Sequence, residues 1–228
     1  MTVLKHPSPN FGPRRHGGLP DMVVLHHTAM TSAPAAIERL CDPAAEVSAH
    51  YVIALDGAVT RLVDETARAW HAGAGRWGNV TDVNSHSIGI ELDNAGPLNA
   101  APPFPQPQMA ALDALLAEVL SRWSIAPERV IAHSDMAPLR KSDPGPAFDW
   151  QRLARQGLSV WPGMGLPGEF LVDANLFGYD IDFGLEAVLT AFRMRFRPGA
   201  SGPLSDTDRA LMRDLAHRFP VDRTIGTA

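Results

Sequence analysis

Three short strand-like runs constrain this chain more than any other feature, because each carries or delivers a side chain that can do chemistry. Met22-Val23-Val24-Leu25, bounded upstream by Pro20-Asp21, runs directly into His26-His27. A continuous apolar run of this length, closed off by turn residues, reads as a buried strand. Ser87-Ile88-Gly89-Ile90-Glu91-Leu92 reads as an interior strand whose alternation sets Ile88, Ile90 and Leu92 on one face and Glu91 on the other. Val130-Ile131-Ala132 is a third strand, and it feeds His133.

Helices are interleaved with these strands. Ser32 is an N-cap for a helix from Pro34 to about Cys41, with proline in the first turn and Asp42-Pro43 as the stop. Tyr51 to Leu55 and Ala58 to Val63 form a hairpin around Asp56-Gly57. From Pro107 to Trp123, Met109, Leu112, Leu116, Val119 and Trp123 recur at helical spacing, so the Met and Trp belong to a core face. Strands mixed with helices imply an α/β layered domain. Residues 1 to 20, rich in Pro, Gly and Arg, read as an irregular segment lying over it.

The composition changes after residue 160. Trp161-Pro162-Gly163-Met164-Gly165-Leu166-Pro167-Gly168 is linker-like. A helical pattern over residues 184 to 197 follows, with Leu185, Val188, Leu189, Phe192 and Phe196 on one side. A second helix starts at Ser205, which can cap it together with Asp208. The chain therefore divides into a main unit, residues 1–162, and a helical appendage, residues 163–228. About 60 residues is near the lower limit for independent folding, so the appendage is expected to lean on the main unit.

With 228 residues, 45% of them hydrophobic, the chain can bury one sizeable core. A net charge of -5 and the lack of clustered Lys and Arg argue against nucleic acid as a partner. No run approaches the roughly 18 apolar residues of a membrane span. The N-terminal stretch lacks the apolar centre of a signal peptide, which makes the cytoplasm the expected location. Cys41 is the single cysteine, so any metal must be held by nitrogen and oxygen.

The loop from His133 to Pro146 brings a histidine, Lys141 and Asp143 together on one proline-pinned segment. One histidine of the His26-His27 pair, with His133 and Asp143, makes a candidate catalytic zinc (Zn2+) set, since such sites use three protein ligands and leave a fourth position open. Adjacent strand residues point to opposite faces, so only one of the pair can serve, and chemistry alone does not choose between them. A lysine beside such a site can steady negative charge developing on a substrate oxygen. Taken singly each residue has a plainer reading: a hydrogen-bonded strand-end histidine, an Asp-Pro-Gly turn, an ion-paired Glu91, a solvated Lys141.

Several blocks, taken together, resemble type 2 N-acetylmuramoyl-L-alanine amidases, the zinc amidases related to peptidoglycan recognition proteins and phage amidases. They are Met22 to Ala29, Val47-Ser48-Ala49-His50-Tyr51, Arg68-Ala69-Trp70-His71-Ala72-Gly73, Ser87 to Leu92 and His133 to Trp150. They occur in the family's order over about residues 8 to 160. His-Ser-Asp-Met-Ala-Pro followed by Arg-Lys-Ser-Asp-Pro-Gly-Pro-Ala-Phe-Asp-Trp is most similar to the AmpD and AmiD subgroup.

The resemblance implies a mixed central β-sheet flanked by helices, with His26, His133 and Asp143 as zinc ligands and His27 at a variable position. It further implies Glu91 as general base, Lys141 as oxyanion stabiliser, and Trp70, His71 and Asn84 along the substrate cleft. Tyr51 is expected to pack. The implied reaction cleaves the amide between the lactyl group of N-acetylmuramic acid and L-alanine, in peptidoglycan or in 1,6-anhydromuropeptides. A non-catalytic muropeptide-recognition module is the competing reading, and the presence of all three implied ligands favours the enzyme. Phe177-Gly178-Tyr179, Ala191 to Pro198 and Leu204 to Asp208 faintly resemble three-helix peptidoglycan-binding modules, one helix short. A structural role covering one side of the main unit is an equal alternative. Oligomeric state is not legible.

Overall fold

A computed structural model describes residues 2–96 and 102–222. The N-terminal half runs β1 (Val3–Lys5), β2 (Phe11–Pro13), β3 (Met22–His27), α1 (Ala33–Cys41), β4 (Tyr51–Ile53), β5 (Val59–Arg61) and β6 (Ala67–Ala69). Then come α2 (Val83–His86), β7 (Ser87–Leu92), α3 (Gln106–Trp123), β8 (Val130–Ala132), α4 (His133–Met136) and α5 (Trp150–Arg155). Three helices close the chain: α6 (Phe170–Phe177), α7 (Leu185–Phe196) and α8 (Asp206–Arg218).

Six strands form one mixed sheet in the order β1-β5-β4-β7-β3-β8. The β4–β5 hairpin is antiparallel, as Asp56-Gly57 predicts, and Gly57 supplies the positive φ of 87° that the turn requires. Strands β4, β7, β3 and β8 run parallel, so their C-terminal ends meet at one edge. That edge carries His26, Glu91 and His133.

The sheet is buried on both faces. On one, Val23, Leu25, Ile88, Ile90 and Leu92 pack with Leu112, Leu116 and Val119 of α3. On the other, Met22, Val24 and Ile131 pack with Phe170, Phe177, Phe192 and Leu215 of the C-terminal helices. Each buried phenylalanine contributes about 1.5–3 kcal/mol, so the appendage shares a core with the sheet and does not merely touch it. No helix among the described residues is long and apolar enough to cross a membrane.

Two expectations need correction. Residues 1 to 20 are not wholly irregular: β1 joins the sheet edge parallel to β5, and β2 pairs antiparallel with β6. Edge pairing is made by backbone groups and needs no apolar pattern, which is why the pattern did not reveal it. Arg14 then staples this segment inward, donating to the carbonyls of Glu65, Asn84, Ser85 and Ser87. The appendage also has three helices where the sequence pattern marked two. α6 starts without a side-chain cap and is apolar on most sides, so it shows neither a start signal nor a polar stripe.

Candidate metal centre and active-site cleft

His26 and Glu91 are direct partners in the β3–β7 register, and so project from the same face of the sheet. Leu25 pairs with Ala132 in the β3–β8 register, which brings His133, the next residue after β8, beside His26. The loop returning from α4 is tied back by Ser134, whose backbone N–H donates to the Asp143 carbonyl at 3.1 Å. Asp143 thereby arrives at the two histidines. His27, on the opposite face of the strand, is paired with Leu92 and lines the wall of the cleft.

The three candidate ligand atoms form a nearly equilateral triangle. His26 Nδ1 lies 2.9 Å from His133 Nδ1, and each is 3.0 Å from Asp143 Oδ2. Among the described residues this is the one group of three His, Cys, Asp or Glu side chains able to hold a metal ion together. The chemistry of the donors fits zinc. His133 Nε2 is 2.9 Å from the carbonyl oxygen of Ala72, which can only accept, so the ring proton sits there and Nδ1 turns a lone pair inward. A set of inward-facing acceptors, two nitrogen and one oxygen, calls for a cation, and two histidines with one carboxylate suit zinc.

Electrostatics agree. Burial, reinforced by the neighbouring His133, lowers the His26 pKa to about 4, so His26 is neutral at physiological pH. For Asp143 burial opposes ionisation, but the hydrogen bonds and charges of His133 and His26 outweigh it and hold the carboxyl well below the usual range. Burial and the charge of Asp143 push Glu91 up to about 8 in the metal-free protein, against the opposing pull of Lys141. Glu91 Oε2 is buried with no hydrogen-bond partner among the described residues.

A cleft of about 470 Å³ brings His26, Glu91, His133, Lys141 and Asp143 together, with Trp70 and His71 along its wall. That volume suits a small ligand or one end of a larger one. Lys141, Trp70 and His71 also border an adjoining depression of about 540 Å³, which includes Arg15, Arg68 and Arg140. Asn84 lies in this second depression, buried, with Oδ1 accepting from the backbone N–H groups of His71 and Ala72. Tyr51 is a packing residue, as expected, its buried hydroxyl donating to Glu65 at 2.6 Å.

Sequence reasoning missed Ala72, Ser87 and Gly89 around the site. The available signal was Gly89, since a glycine inside an interior strand marks a close approach. A Cβ there would lie 2.4 Å from the His71 ring.

The fold and the cleft together describe an amidase class, and comparison with known proteins agrees. The N-acetylmuramoyl-L-alanine amidase family model matches residues 16–146, and the chain belongs to that family. The Escherichia coli K12 protein named N-acetylmuramoyl-L-alanine amidase AmiD is 34% identical over 88% of this chain and 84% of its own length. The solved structure of E. coli AmiD with anhydro-N-acetylmuramic acid-L-Ala-D-gamma-Glu-L-Lys covers 90% of this chain and 92% of that one, with TM-score 0.78 and 32% identity. The structure of AmpDh3 from Pseudomonas aeruginosa with anhydromuramic pentapeptide covers 94% of this chain and 96% of that one, with TM-score 0.80 and 30% identity. The 1,6-anhydro-N-acetylmuramyl-L-alanine amidase AmpD of Enterobacter cloacae is 32% identical over 64% of this chain and 86% of its own length.

Proposed function

We propose that this amidase hydrolyses the bond between the lactyl carbonyl of N-acetylmuramic acid and the amino group of L-alanine, with zinc held by His26, His133 and Asp143. The observation that carries this reading is the triangle of inward-facing ligand atoms beside an unpartnered buried carboxylate. When bound, zinc supplies Lewis acidity toward both a carbonyl oxygen and water. Glu91 takes the proton of the attacking water as the C–O bond forms, then returns it to the leaving nitrogen as the C–N bond breaks. A cation held by His26, His133 and Asp143 would offset the Asp143 charge that raises Glu91, favouring the ionised carboxylate that acts as base. Lys141 stabilises the oxyanion formed during attack. The products are a lactyl carboxylate and a free peptide amine.

Anhydromuropeptides are the first substrate to test, because two similar proteins, one of them the amidase AmiD, have been solved with such compounds bound. Soluble fragments of this kind are what a cytoplasmic recycling enzyme would meet. We read residues 1–162 as the catalytic unit and residues 163–228 as its brace; the shared phenylalanine core supports that division of labour.

The experiment is to incubate purified protein, with and without chelator, with anhydromuramyl-tripeptide and separately with intact sacculi, following free peptide by mass spectrometry. Chelator-sensitive release from the soluble fragment supports the proposal, and release from sacculi extends it to polymeric peptidoglycan. Zinc-loaded protein that binds the muropeptide without cleaving it would replace the hydrolase with a recognition module.

A further inference from the structure

His71 and Ala72, adjacent in sequence, receive the outward-facing nitrogens of both proposed zinc histidines. His133 Nε2 donates to the Ala72 carbonyl at 2.9 Å, and His26 Nε2 lies 3.0 Å from His71 Nδ1. The direction of the second bond is fixed from its far end. The carbonyl of Val83 can only accept, so the Ser87 hydroxyl, 2.6 Å away, donates to it. With its proton committed, Ser87 Oγ accepts from His71 Nε2 at 3.1 Å. A neutral imidazole carries one proton, so His71 Nδ1 is an acceptor and His26 donates to it from Nε2. Both proposed ligands then present a bare Nδ1 to the same point.

The 71–72 segment is itself held rigidly. Asn84 Oδ1 accepts from the N–H of His71 at 3.0 Å and of Ala72 at 2.9 Å. Ser87, Gly89 and Glu91 share the sheet face of His26, and the missing side chain at Gly89 makes the space in which the His71 ring spans from Ser87 to His26.

We infer that His71 and Asn84 are positioning residues for the metal rather than contacts for the muropeptide: the Val83–Ser87–His71 chain sets the tautomer of His26, and Asn84 serves both histidines by fixing the backbone between them. This rests on the zinc-amidase reading above. Partners of this kind are worth 10–100-fold in metal affinity.

The test measures zinc dissociation constants by competition with a chromophoric chelator for wild type, His71→Leu and His71→Asn, alongside urea unfolding of the metal-free proteins. His71→Leu is expected to weaken zinc about 10- to 100-fold. His71→Asn, whose Oδ1 replaces the accepting Nδ1, is expected to recover most of that loss, and KM at saturating zinc is expected to change little in either. Wild-type affinity in His71→Leu, or no recovery in His71→Asn, overturns the inference. A reading that needs no variant is the set of imidazole nitrogen chemical shifts of zinc-loaded wild type. A proton on His71 Nε2 with Nδ1 bare supports the inference, and a protonated His71 Nδ1 overturns it. Wild type that fails to bind zinc overturns the zinc reading itself, and this inference with it.

Discussion

Arg195 on α7 reaches Asp135 on α4, with Nη1 2.5 Å from Oδ2 and both side chains buried. The same carboxylate accepts from the Tyr179 hydroxyl at 2.7 Å and from the Ala132 N–H at 2.9 Å. Arg195 also donates to the Val130 carbonyl and lies over the Trp150 ring. Asp135 is two residues past His133, so the C-terminal helices anchor the turn that carries a candidate zinc ligand.

Removing one partner of such a pair strands a buried charge. Arg195→Met is expected to cost about 3–5 kcal/mol in urea unfolding. The double variant with Asp135→Asn should cost clearly less than the sum of the two single variants. Strict additivity would show that the pair is not coupled.

Asp143→Ala removes one of the three proposed zinc ligands. Stoichiometric zinc binding should be lost, and kcat/KM should fall by roughly a thousand-fold, the scale of several kcal/mol of Lewis-acid stabilisation. Retained zinc measured by atomic absorption would remove Asp143 from the ligand set.

Glu91→Gln should lower kcat by about 10²–10⁴-fold while leaving zinc bound. The metal-free protein gives an independent check. A carboxyl whose folded pKa is raised to about 8 is penalised when ionised, so its cost to stability appears above the unfolded value near 4.5 and grows as pH rises toward 8. Metal-free wild type should therefore lose stability relative to Glu91→Gln between pH 5 and 8. A constant difference across that range would place Glu91 in a more polar setting.

His50 is buried and neutral, its Nδ1 accepting from the Gly89 N–H and its Nε2 donating to the Ala67 carbonyl. Burial, with the nearby Arg14 cation, lowers its pKa to about 3. The unfolded chain takes up this proton below pH about 6.5 and the native protein does not until far lower, so stability falls as pH drops through that window. His50 ring resonances should hold their neutral positions down to about pH 4, and titration near 6.5 would contradict its burial.

Gly89→Ala would set a methyl 2.4 Å from His71 Cγ. Overpacking of this kind costs about 1–3 kcal/mol, and displacing His71 should weaken zinc as His71→Leu does. Unchanged zinc affinity would show that the ring has room to move.

Strands β3, β4, β5, β7 and β8, the Asp56-Gly57 hairpin, the Ser32 and Ser205 caps and the long α3 were legible because each depends on local periodicity or on a local side-chain bond. His26, His133, Asp143, Glu91 and Lys141 were legible as a set only through the family resemblance of the blocks that carry them, and the fold brings all five to one cleft. What the sequence hid is what tertiary pairing supplies. β1 and β2 rest on backbone hydrogen bonds to distant strands, and α6 has no side-chain cap, although Gly178 after Phe177 was a usable stop signal. Trp70, His71 and Asn84 were singled out as one group. Only the fold separates Trp70, on the cleft wall, from Asn84, whose acceptor is spent on backbone amides.

The side-by-side placement of His26 and Glu91 has a consequence for assembly. Moving β3 by one residue against β7 would turn His26 to the α3 side, and the same slip would drive Met22 and Val24 out of one core and Val23 and Leu25 out of the other. The alternation that sorts apolar side chains between two cores also sorts the reactive ones onto one edge. Folding thus proofreads the chemistry: a chain paired out of step would forfeit its core before it could assemble a faulty site.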